Sequence, residues 1–179
     1  PKPAPPRKGG FQCAGTAFEA GGIPYCLYSD RLLTAAEADK LCRANGGRLA
    51  EPSSAEKDKA LWDQLGPRVG TGEDVWIGLS DARKEGRWEA PTGELAAFAA
   101  WRDGEPNDVG PGGEDCATWG PGDGRWNDLP CDRLAPSICR GERMGTIMIE
   151  RAPRPRMTAR CSSDWAVSAS VASSTSGSS

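Results

Sequence analysis

Residues 101–131 read WRDGEPNDVGPGGEDCATWGPGDGRWNDLPC, and this stretch constrains the fold and the function of the chain more than any other. Between residues 103 and 128 it carries seven carboxylates and a single basic residue, Arg125. Seven glycines and three prolines lie in the same span, which predicts a loop with no regular helix or strand. Carboxylates at this density repel one another unless a cation neutralises them, and oxygen ligands from Asp, Glu and Asn suit Ca²⁺. The stretch therefore predicts an acidic, cation-binding loop.

The composition of the chain indicates one domain with extensions. It has 179 residues, of which 37% are hydrophobic, and seven tryptophans supply much of the core volume. The formal net charge of −3 argues against a nucleic-acid partner, because such partners select strongly basic surfaces. No apolar run approaches the roughly 18 residues of a membrane-spanning helix, so we expect no transmembrane segment. The chain begins at Pro1, which indicates a processed end, so its start does not reveal how the protein is targeted.

Seven cysteines indicate disulfides rather than metal ligation. They form no Cys-x-x-Cys pair and the chain has no histidine, so the usual zinc ligands are missing. Disulfides form in oxidising compartments, which predicts a secreted or extracellular protein. Six cysteines allow fifteen pairings, and the sequence alone does not choose among them. The lack of histidine also excludes Ser–His and Cys–His catalysis, so we expect no enzyme activity.

Two helices are predicted between residues 34 and 67. Thr34-Ala-Ala-Glu37 and Ser53-Ser-Ala-Glu56 are capping boxes, in which the hydroxyl accepts a backbone N–H and the glutamate bonds back to the backbone. The first helix is expected to end at residues 45–47, which read Asn-Gly-Gly, and the second at Gly66-Pro67. The apolar residues that these patterns turn to the core are Ala38, Leu41, Cys42, Leu61 and Leu65.

The remainder of the chain predicts short strands separated by long loops. Residues 11–28 read as a short β segment, and further strands are predicted at 75–79, 87–89, 117–119 and 137–139. A loop of about 25 residues is uncommon in a compact domain unless it is functional, and here the acidic residues supply that function. Residues 1–10 are Pro-rich and predict an extended N-terminal arm. Residues 141–179 are rich in Arg and then in Ser, which predicts a disordered tail.

Three motifs of the acidic stretch occur in an order typical of one family. Glu105-Pro106-Asn107, Glu114-Asp115-Cys116 and Trp126-Asn127-Asp128 resemble the calcium-dependent sugar site of C-type lectins of the mannose-binding kind. Trp76-Ile77-Gly78-Leu79 is a further mark, and the resemblance covers residues 11–140. It implies an α+β fold, the C-type lectin-like fold, in which two helices flank short antiparallel sheets with long calcium-binding loops. The disulfide pairs that it implies are Cys13–Cys26, which resembles the long form of the domain, Cys42–Cys139 and Cys116–Cys131.

The resemblance implies a principal calcium site with five protein ligands: Glu105, Asn107, Glu114, Asn127 and Asp128. It also implies a cis peptide bond before Pro106. Five side chains leave positions open in a shell of about six to eight oxygens, and two vicinal sugar hydroxyls can complete it. The amides donate hydrogen bonds to these hydroxyls and the carboxylates accept them, so the same five residues are the expected sugar-binding residues.

The residues on either side of Pro106 predict which sugars bind. Glu before the proline and Asn after it resemble the mannose-type subgroup, whose ligands present two equatorial hydroxyls, the 3-OH and the 4-OH. This predicts mannose, N-acetylglucosamine, glucose or fucose ahead of galactose, because the galactose-type subgroup has Gln and Asp at these positions. The loop over residues 109–113 is about one residue longer than in the mannose-binding pattern, which leaves secondary sugar contacts open.

A second set of acids resembles an auxiliary calcium site: Asp81, Glu85, Asp108, Glu114 and Asp115. Glu114 would bridge the two ions in this arrangement. The alternative for Asp81 and Glu85 is that they are solvated surface residues beside Arg83 and Lys84.

Other residues near the site have simpler expected roles. Trp76, Trp101 and Trp126 are predicted to lie in the core rather than against a sugar. Val109 is a candidate for an additional sugar contact, and Arg125 is expected to steady the acidic loop.

The expected function is that of a secreted, calcium-dependent lectin that recognises mannose-type glycans of microbial or self origin. The alternative is a structural or interaction protein on the same fold, associated with mineral, ice or a protein ligand. Alternating amides favour the sugar, since a mineral surface needs no such donors. A glycosidase would need a protonated acid, whereas Glu105 and Glu114 are committed to an ion. Cys161 either forms an interchain disulfide, which would give a dimer, or stays a free thiol.

Overall fold

The computed structural model of the protein describes residues 10–70 and 72–141. The predicted N-terminal arm, apart from Gly10, and the predicted tail, apart from Gly141, lie outside these residues, as does Cys161. None of the helices within the described ranges has the length and apolar character needed to cross a lipid bilayer.

The first two strands, β1 (Thr16–Ala20) and β2 (Ile23–Leu33), form an antiparallel hairpin. Gly21 and Gly22 connect them with φ values of 58° and 73°. Positive φ at both central residues is typical of a tight hairpin turn, and glycine adopts it without steric cost. The prediction of one short β segment over residues 11–28 is therefore wrong in extent, because the Gly-Gly turn divides it and β2 continues to Leu33.

The first helix, α1 (Ala35–Ala44), begins at the predicted capping box. Thr34 Oγ1 accepts the backbone N–H of Glu37 at 3.3 Å, and Glu37 Oε2 accepts the backbone N–H of Thr34 at 3.1 Å. The predicted core face is confirmed, since Ala38 and Cys42 are fully buried. The helix ends at Asn45, as predicted.

The second helix, α2 (Ala55–Leu65), begins one residue later than predicted. Its N-cap is Ser54, whose hydroxyl accepts the backbone N–H of Lys57 at 3.4 Å. The predicted capping box from Ser53 to Glu56 is therefore wrong, and Ser53 instead accepts a hydrogen bond from the Lys57 ammonium at 2.7 Å. A 3₁₀ turn follows at Gly66–Arg68. The helix turns three residues to the core: Asp58, Leu61 and Leu65.

Five further strands complete one mixed sheet: β3 (Gly47–Leu49), β4 (Val75–Ser80), β5 (Cys116–Trp119), β6 (Trp126–Leu129) and β7 (Ala135–Gly141). The order across the sheet is β1-β2-β7-β4-β5-β6, and β3 pairs with β7. β4 runs parallel to β7, while the other neighbours are antiparallel. The predicted α+β class with two helices is confirmed, but its short antiparallel sheets are joined into one mixed sheet.

The acidic stretch contains two strands. β5 confirms the strand predicted at residues 117–119, whereas β6 contradicts the prediction of a loop for the rest of residues 103–128. β5 and three of the four residues of β6 lie within this range, and the strands pair antiparallel, with Cys116 opposite Leu129 and Trp119 opposite Trp126. The physical reason is that its glycines and prolines lie outside both strands, in the loop before β5 and in the turn over residues 120–125. The turn brings β5 and β6 together.

The predicted strand at residues 87–89 is also wrong. Only Glu89 makes bridges, to Ser80 and to Leu95, because this segment crosses the end of β4 instead of running along it. The backbone N–H of Ser80 donates to Glu89 O at 2.9 Å, and the backbone N–H of Glu89 donates to Ser80 O at the same distance. Residues 81–115 therefore leave the sheet and form its long loops.

Two neighbouring clusters of buried side chains form the core. One contains the α2 leucines with Trp119 and Trp126, and the other contains the buried face of α1 with Trp76. The core positions predicted for Trp76 and Trp126 are confirmed, while Trp101 is partly buried against the first cluster. Each large aromatic side chain removes about 150–250 Å² from water, so three fully buried indoles account for a large share of the hydrophobic stabilisation.

Three disulfides cross-link the described residues: Cys13–Cys26, Cys42–Cys139 and Cys116–Cys131. These are the pairs that the resemblance implies. Cys42–Cys139 joins α1 to β7 across 97 residues of sequence. Cys116–Cys131 spans 15 residues and closes the turn that carries β5 and β6.

Candidate functional site

The Asp128 side chain makes the central contacts of the acidic stretch. It lies on β6 and is only 1% exposed. Its carboxylate accepts the backbone N–H of Asn107 at 3.1 and 3.2 Å and that of Asp108 at 2.9 Å. One side chain on a strand therefore holds the backbone of a loop 20 residues earlier in the chain.

Glu105 and Asn107 face this carboxylate from the two sides of Pro106. The peptide bond between Glu105 and Pro106 is cis, as the resemblance implies. The amide Nδ2 of Asn107 donates to Glu105 Oε2, and the negative charge of Asp128 acts on the Glu105 carboxyl. Burial and the adjacent Asp128 raise the pKa of Glu105 above its usual value. Two acids this close repel each other when both are ionised, which favours a cation between them.

Glu114 joins the same group from the far side of the loop. Its backbone N–H donates to Asp108 Oδ1 at 2.7 Å, and Asp108 adopts a positive φ of 50° to allow this turn. Burial raises the pKa of the Glu114 carboxyl, and the charges of Asp128 and Asp108 raise it further. Arg133 acts in the opposite direction as a nearby positive charge.

Asn127 lies between Trp126 and Asp128 on β6 and is half-buried. Its carbonyl accepts a hydrogen bond from Thr118 Oγ1 at 3.2 Å, which ties this part of β6 to β5. The structure therefore brings Glu105, Asn107, Glu114 and Asp128 together by direct contact or charge, while Asn127 precedes Asp128 on β6.

Three of the five acids predicted for the auxiliary site also come together. Carboxylate oxygens of Asp81, Glu85 and Asp115 all lie within 4.8 Å of one another. Asp81 is 3% exposed, and its Oδ2 accepts the backbone N–H of Gly86 at 2.9 Å. Its Oδ1 is enclosed and has no hydrogen-bond donor among the described residues. The reading of Asp81 as a solvated surface residue is therefore wrong, while Glu85 is exposed.

The charges of this second cluster act on one another. Burial raises the pKa of Asp81, and the negative charges of Asp115 and Asp128 add to this. The charge of Asp81 raises the pKa of Glu85, and Asp108 contributes in the same direction. Asp108 thus acts on both clusters, so the two predicted calcium sites are electrostatically connected.

The residues of both clusters fit a hard cation. All the side-chain donors are carboxylate or amide oxygens, which is the ligand set that Ca²⁺ prefers. An enclosed oxygen without a donor costs about 1–3 kcal/mol, and a bound cation at Asp81 Oδ1 would remove that cost.

The other residues near the site take various positions. Val109 is 67% exposed beside Asn107, whose Oδ1 accepts its backbone N–H at 2.8 Å. The Arg125 guanidinium donates to Trp101 O at 3.3 Å. Arg125 therefore steadies the backbone before the acidic loop, whereas Arg102 forms an ion pair with Asp123 at 3.3 Å.

Sequence reasoning missed two charged residues. Arg133 lies two positions after Cys131, whose disulfide partner follows Glu114 and Asp115, and this spacing could have placed it near the acids. Asp58 interrupts the buried face of α2 and is itself buried. A carboxylate on an otherwise apolar helical face is unusual, and this was the signal available in the sequence.

The Lectin C-type domain family matches residues 31–141. The C-type mannose receptor 2 of Homo sapiens is 39% identical over 105 residues, which are 58% of this chain and 7% of the receptor. A C-type lectin of Cerberus rynchops is 34% identical over 134 residues, which are 73% of this chain and 84% of that protein.

A solved structure shares the architecture. The carbohydrate-recognition domain of the mouse scavenger receptor C-type lectin superposes with a TM-score of 0.65 at 26% identity, covering 74% of this chain and 98% of that one. A family match over most of the described residues, on a fold that superposes with a solved carbohydrate-recognition domain, shows that the chain belongs to the C-type lectin domain family.

Proposed function

We propose that this domain is a lectin that binds mannose-type glycans through Ca²⁺. The observation that carries the proposal is the convergence of Glu105, Asn107 and Asp128, which are linked by hydrogen bonds and charge, with Glu114 beside them. Burial and repulsion by neighbouring acids raise the pKa values of Glu105 and Glu114. Such a cluster suits a bound cation better than it suits an exposed polar surface. The family is one of carbohydrate-binding domains without catalysis, which agrees with this chemistry.

The five proposed ligands of the principal ion are Glu105, Asn107, Glu114, Asn127 and Asp128. When bound, calcium would offer open coordination positions to two vicinal hydroxyls of the sugar. The amides of Asn107 and Asn127 would donate hydrogen bonds to those hydroxyls, and Glu105 and Glu114 would accept their protons. The backbone hydrogen bonds to Asp128 hold the loop that carries two of these residues.

The proposed preference is for sugars with equatorial 3-OH and 4-OH groups. Glu105 and Asn107 stand in the order of the mannose-type subgroup, and the contact between their side chains supports a shared role. The hairpin of β1 and β2 and the Cys13–Cys26 disulfide support assignment to the long form of the domain.

A second calcium ion is proposed for the auxiliary set: Asp81, Glu85, Asp108, Glu114 and Asp115. The grouping of Asp81, Glu85 and Asp115 supports it, together with the enclosed Asp81 Oδ1. The charge of Asp108 raises the pKa of both Glu85 and Glu114, which supports a connection between the two sets.

We also propose an extracellular location for the domain. Three disulfides among the described residues are typical of a protein that folds in an oxidising compartment. A dimer linked through Cys161 remains a proposal about residues that the structure does not describe. It would matter because two linked sites raise avidity by about a hundredfold or more when both can engage.

A mannose column tests the principal proposal. The full chain should be retained in millimolar calcium and released by EDTA. Asn127→Ala removes one ligand and one amide donor and should pass through the column. The matched control is Glu19→Gln, an exposed acid on β1 at the opposite edge of the sheet, which should be retained. Retention of the wild-type chain that EDTA does not reverse, or no retention in calcium, would contradict the proposal.

A further inference from the structure

Asp58 is a buried carboxylate that the calcium chemistry does not use. It lies on α2 and is 8% exposed. Its Oδ1 accepts the indole N–H of Trp119 at 3.0 Å and that of Trp126 at 3.0 Å. One oxygen of one helical residue therefore joins α2 to both strands of the acidic stretch.

Burying the Asp58 carboxylate among apolar side chains costs free energy. Burial raises the pKa of Asp58, which shows that the ionised form is disfavoured at this position. Its neighbours on the same helical face are Leu61 and Leu65, so an apolar residue would suit the surroundings. Without an acceptor, however, two fully buried indole N–H groups would lose their hydrogen-bond partner.

Trp126 connects Asp58 to both sides of the principal site. Its backbone N–H donates to Ala100 O and its carbonyl accepts the backbone N–H of Arg102, each at 2.8 Å. Arg102 O in turn accepts the backbone N–H of Glu105 at 2.9 Å. In the other direction along the chain, Trp126 is followed directly by Asn127. The position of the Trp126 indole therefore affects Glu105 in the segment before the site and Asn127 on β6.

Trp119 makes the same hydrogen bond but is separated from the site. It is fully buried, as Trp126 is, and the two residues face each other in the sheet. The proposed ligands nearest to it along the chain are Glu114 and Asp115, which precede β5, and Cys116 lies between them and Trp119. The disulfide of Cys116 holds that end of β5 independently of the indole.

We infer that Asp58 is a positioning residue of the principal calcium site, acting through the indole of Trp126 to fix Asn127, Asp128 and the backbone that leads to Glu105. The inference rests on the proposed function. It predicts that loss of the Trp126 indole N–H weakens calcium binding more than loss of the Trp119 indole N–H, although both groups donate to Asp58 Oδ1.

Calcium titration by calorimetry compares Trp126→Phe with Trp119→Phe. Each change removes one N–H donor to Asp58 and leaves an aromatic ring in the core. We expect Trp126→Phe to weaken calcium binding about tenfold, the lower end of the range for groups that orient metal ligands from behind. Trp119→Phe should stay within about twofold of wild type. Equal effects of the two variants, or no effect of Trp126→Phe, would overturn the inference.

Variants at Asp58 itself keep the test valid if a Phe variant does not fold. Asp58→Asn keeps an oxygen acceptor and removes the charge, so it should retain most of the calcium affinity. Asp58→Ala removes the acceptor and should behave as Trp126→Phe does. Leu61→Ala on the same face controls for loss of stability and should keep the wild-type affinity. If Leu61→Ala weakens calcium binding as much as Asp58→Ala does, the specific role of Asp58 is overturned.

A readout in calcium-free protein separates this inference from the proposed function. The backbone amide signals of Asn107 and Asp108, which donate to Asp128, are followed by nuclear magnetic resonance. They should shift in Trp126→Phe and stay in place in Trp119→Phe. If these shifts appear but the wild-type chain binds no calcium, the proposed function fails while the mechanical link stands. If calcium binds but the amide signals do not respond, only the positioning role fails.

Discussion

The backbone N–H of Asn107 donates to Asp128 Oδ2 at 3.1 Å, although 21 residues separate them in sequence. The Asp128 side chain therefore has two tasks, since it organises a loop and contributes charge to the proposed ion. Asp128→Asn keeps an oxygen that can accept these N–H groups and removes the charge. We expect calcium affinity to fall by roughly one to two orders of magnitude with little change in fold. Calorimetry with circular dichroism measures both, and unchanged affinity would remove Asp128 from the ligand set.

Exchanging the residues around Pro106 should change sugar preference. Glu105→Gln with Asn107→Asp reverses the order of acid and amide and keeps one of each. We expect weaker mannose binding and a shift towards galactose, because donors and acceptors at the two hydroxyls change places. A glycan array in saturating calcium measures the preference. An array pattern identical to wild type would show that these side chains do not select the sugar.

The auxiliary cluster should account for one bound ion. Asp81→Asn removes a charge from the group within 4.8 Å and should lower the calcium stoichiometry from two to one. Mannose binding should persist at high calcium, because the principal ligands remain. Asp30→Asn, an exposed acid on β2, is the control and should keep two ions. Two ions in both variants would exclude a site at Asp81.

Calcium should stabilise the domain more as pH rises. The pKa values of Asp81, Glu105 and Glu114 are raised above 3.8 for Asp and 4.5 for Glu, first of all by burial. An acid with a raised pKa contributes stability below its unfolded-state pKa and loses it as pH rises through the folded-state pKa. Calcium binds the ionised form, so it compensates this loss.

The measurement is the difference in Tm between calcium and EDTA, followed by calorimetry from about pH 4 to pH 7. We expect the difference to widen with pH, and sugar binding in saturating calcium to persist at pH 6. A difference that is constant or narrows over this range would show that the carboxylates of the two clusters do not bind the ion.

The Cys42–Cys139 disulfide should stabilise the fold more than the Cys13–Cys26 disulfide. Cys42→Ala with Cys139→Ala opens a loop of 97 residues and should cost about 4–5 kcal/mol in the chain-entropy model. Cys13→Ala with Cys26→Ala opens a loop of 13 residues and should cost about 3 kcal/mol. Urea denaturation of the two variants gives both values. A larger loss from the short pair would mean that local packing, rather than chain entropy, dominates.

Much of the fold could be predicted where local chemistry decides the outcome. The capping box of Thr34 and Glu37 formed as expected, because its two hydrogen bonds need only four consecutive residues. The second helix start was displaced by one residue, because Ser54 is the N-cap although Ser53, with Glu56 three residues later, has the better local pattern for a capping box. The packing of Leu61 and Leu65 sets the phase of that helix, and the sequence pattern does not specify it to one residue.

β6 was missed for a different reason, whereas the strand predicted at residues 117–119 lies within β5. β6 has only four residues, and two of them are polar. Its conformation depends on pairing with β5 across a glycine-rich turn, and such a pairing depends on tertiary context. Asp58 was missed because its partners, Trp119 and Trp126, lie more than 60 residues away.

The candidate site followed from the order of its motifs, and the structure adds how they meet. Residue types alone indicated oxygen ligands for calcium. The hydrogen bonds from the Asn107 and Asp108 backbone to Asp128, and the enclosure of Asp81, depend on three-dimensional packing. The charge of Arg133 near Glu114 depends on the Cys116–Cys131 cross-link in the same way.

The two ends of the described residues lie close together. The ring of Phe11 packs against Gly141, where an added Cβ would lie only 2.6 Å from it. Gly141 is the last residue of β7, and Phe11 precedes β1, which forms one edge of the sheet, while β6 forms the other edge. A side chain larger than glycine at position 141 would therefore have to displace the Phe11 ring, so the segment before β1 and the last residue of β7 constrain each other's packing.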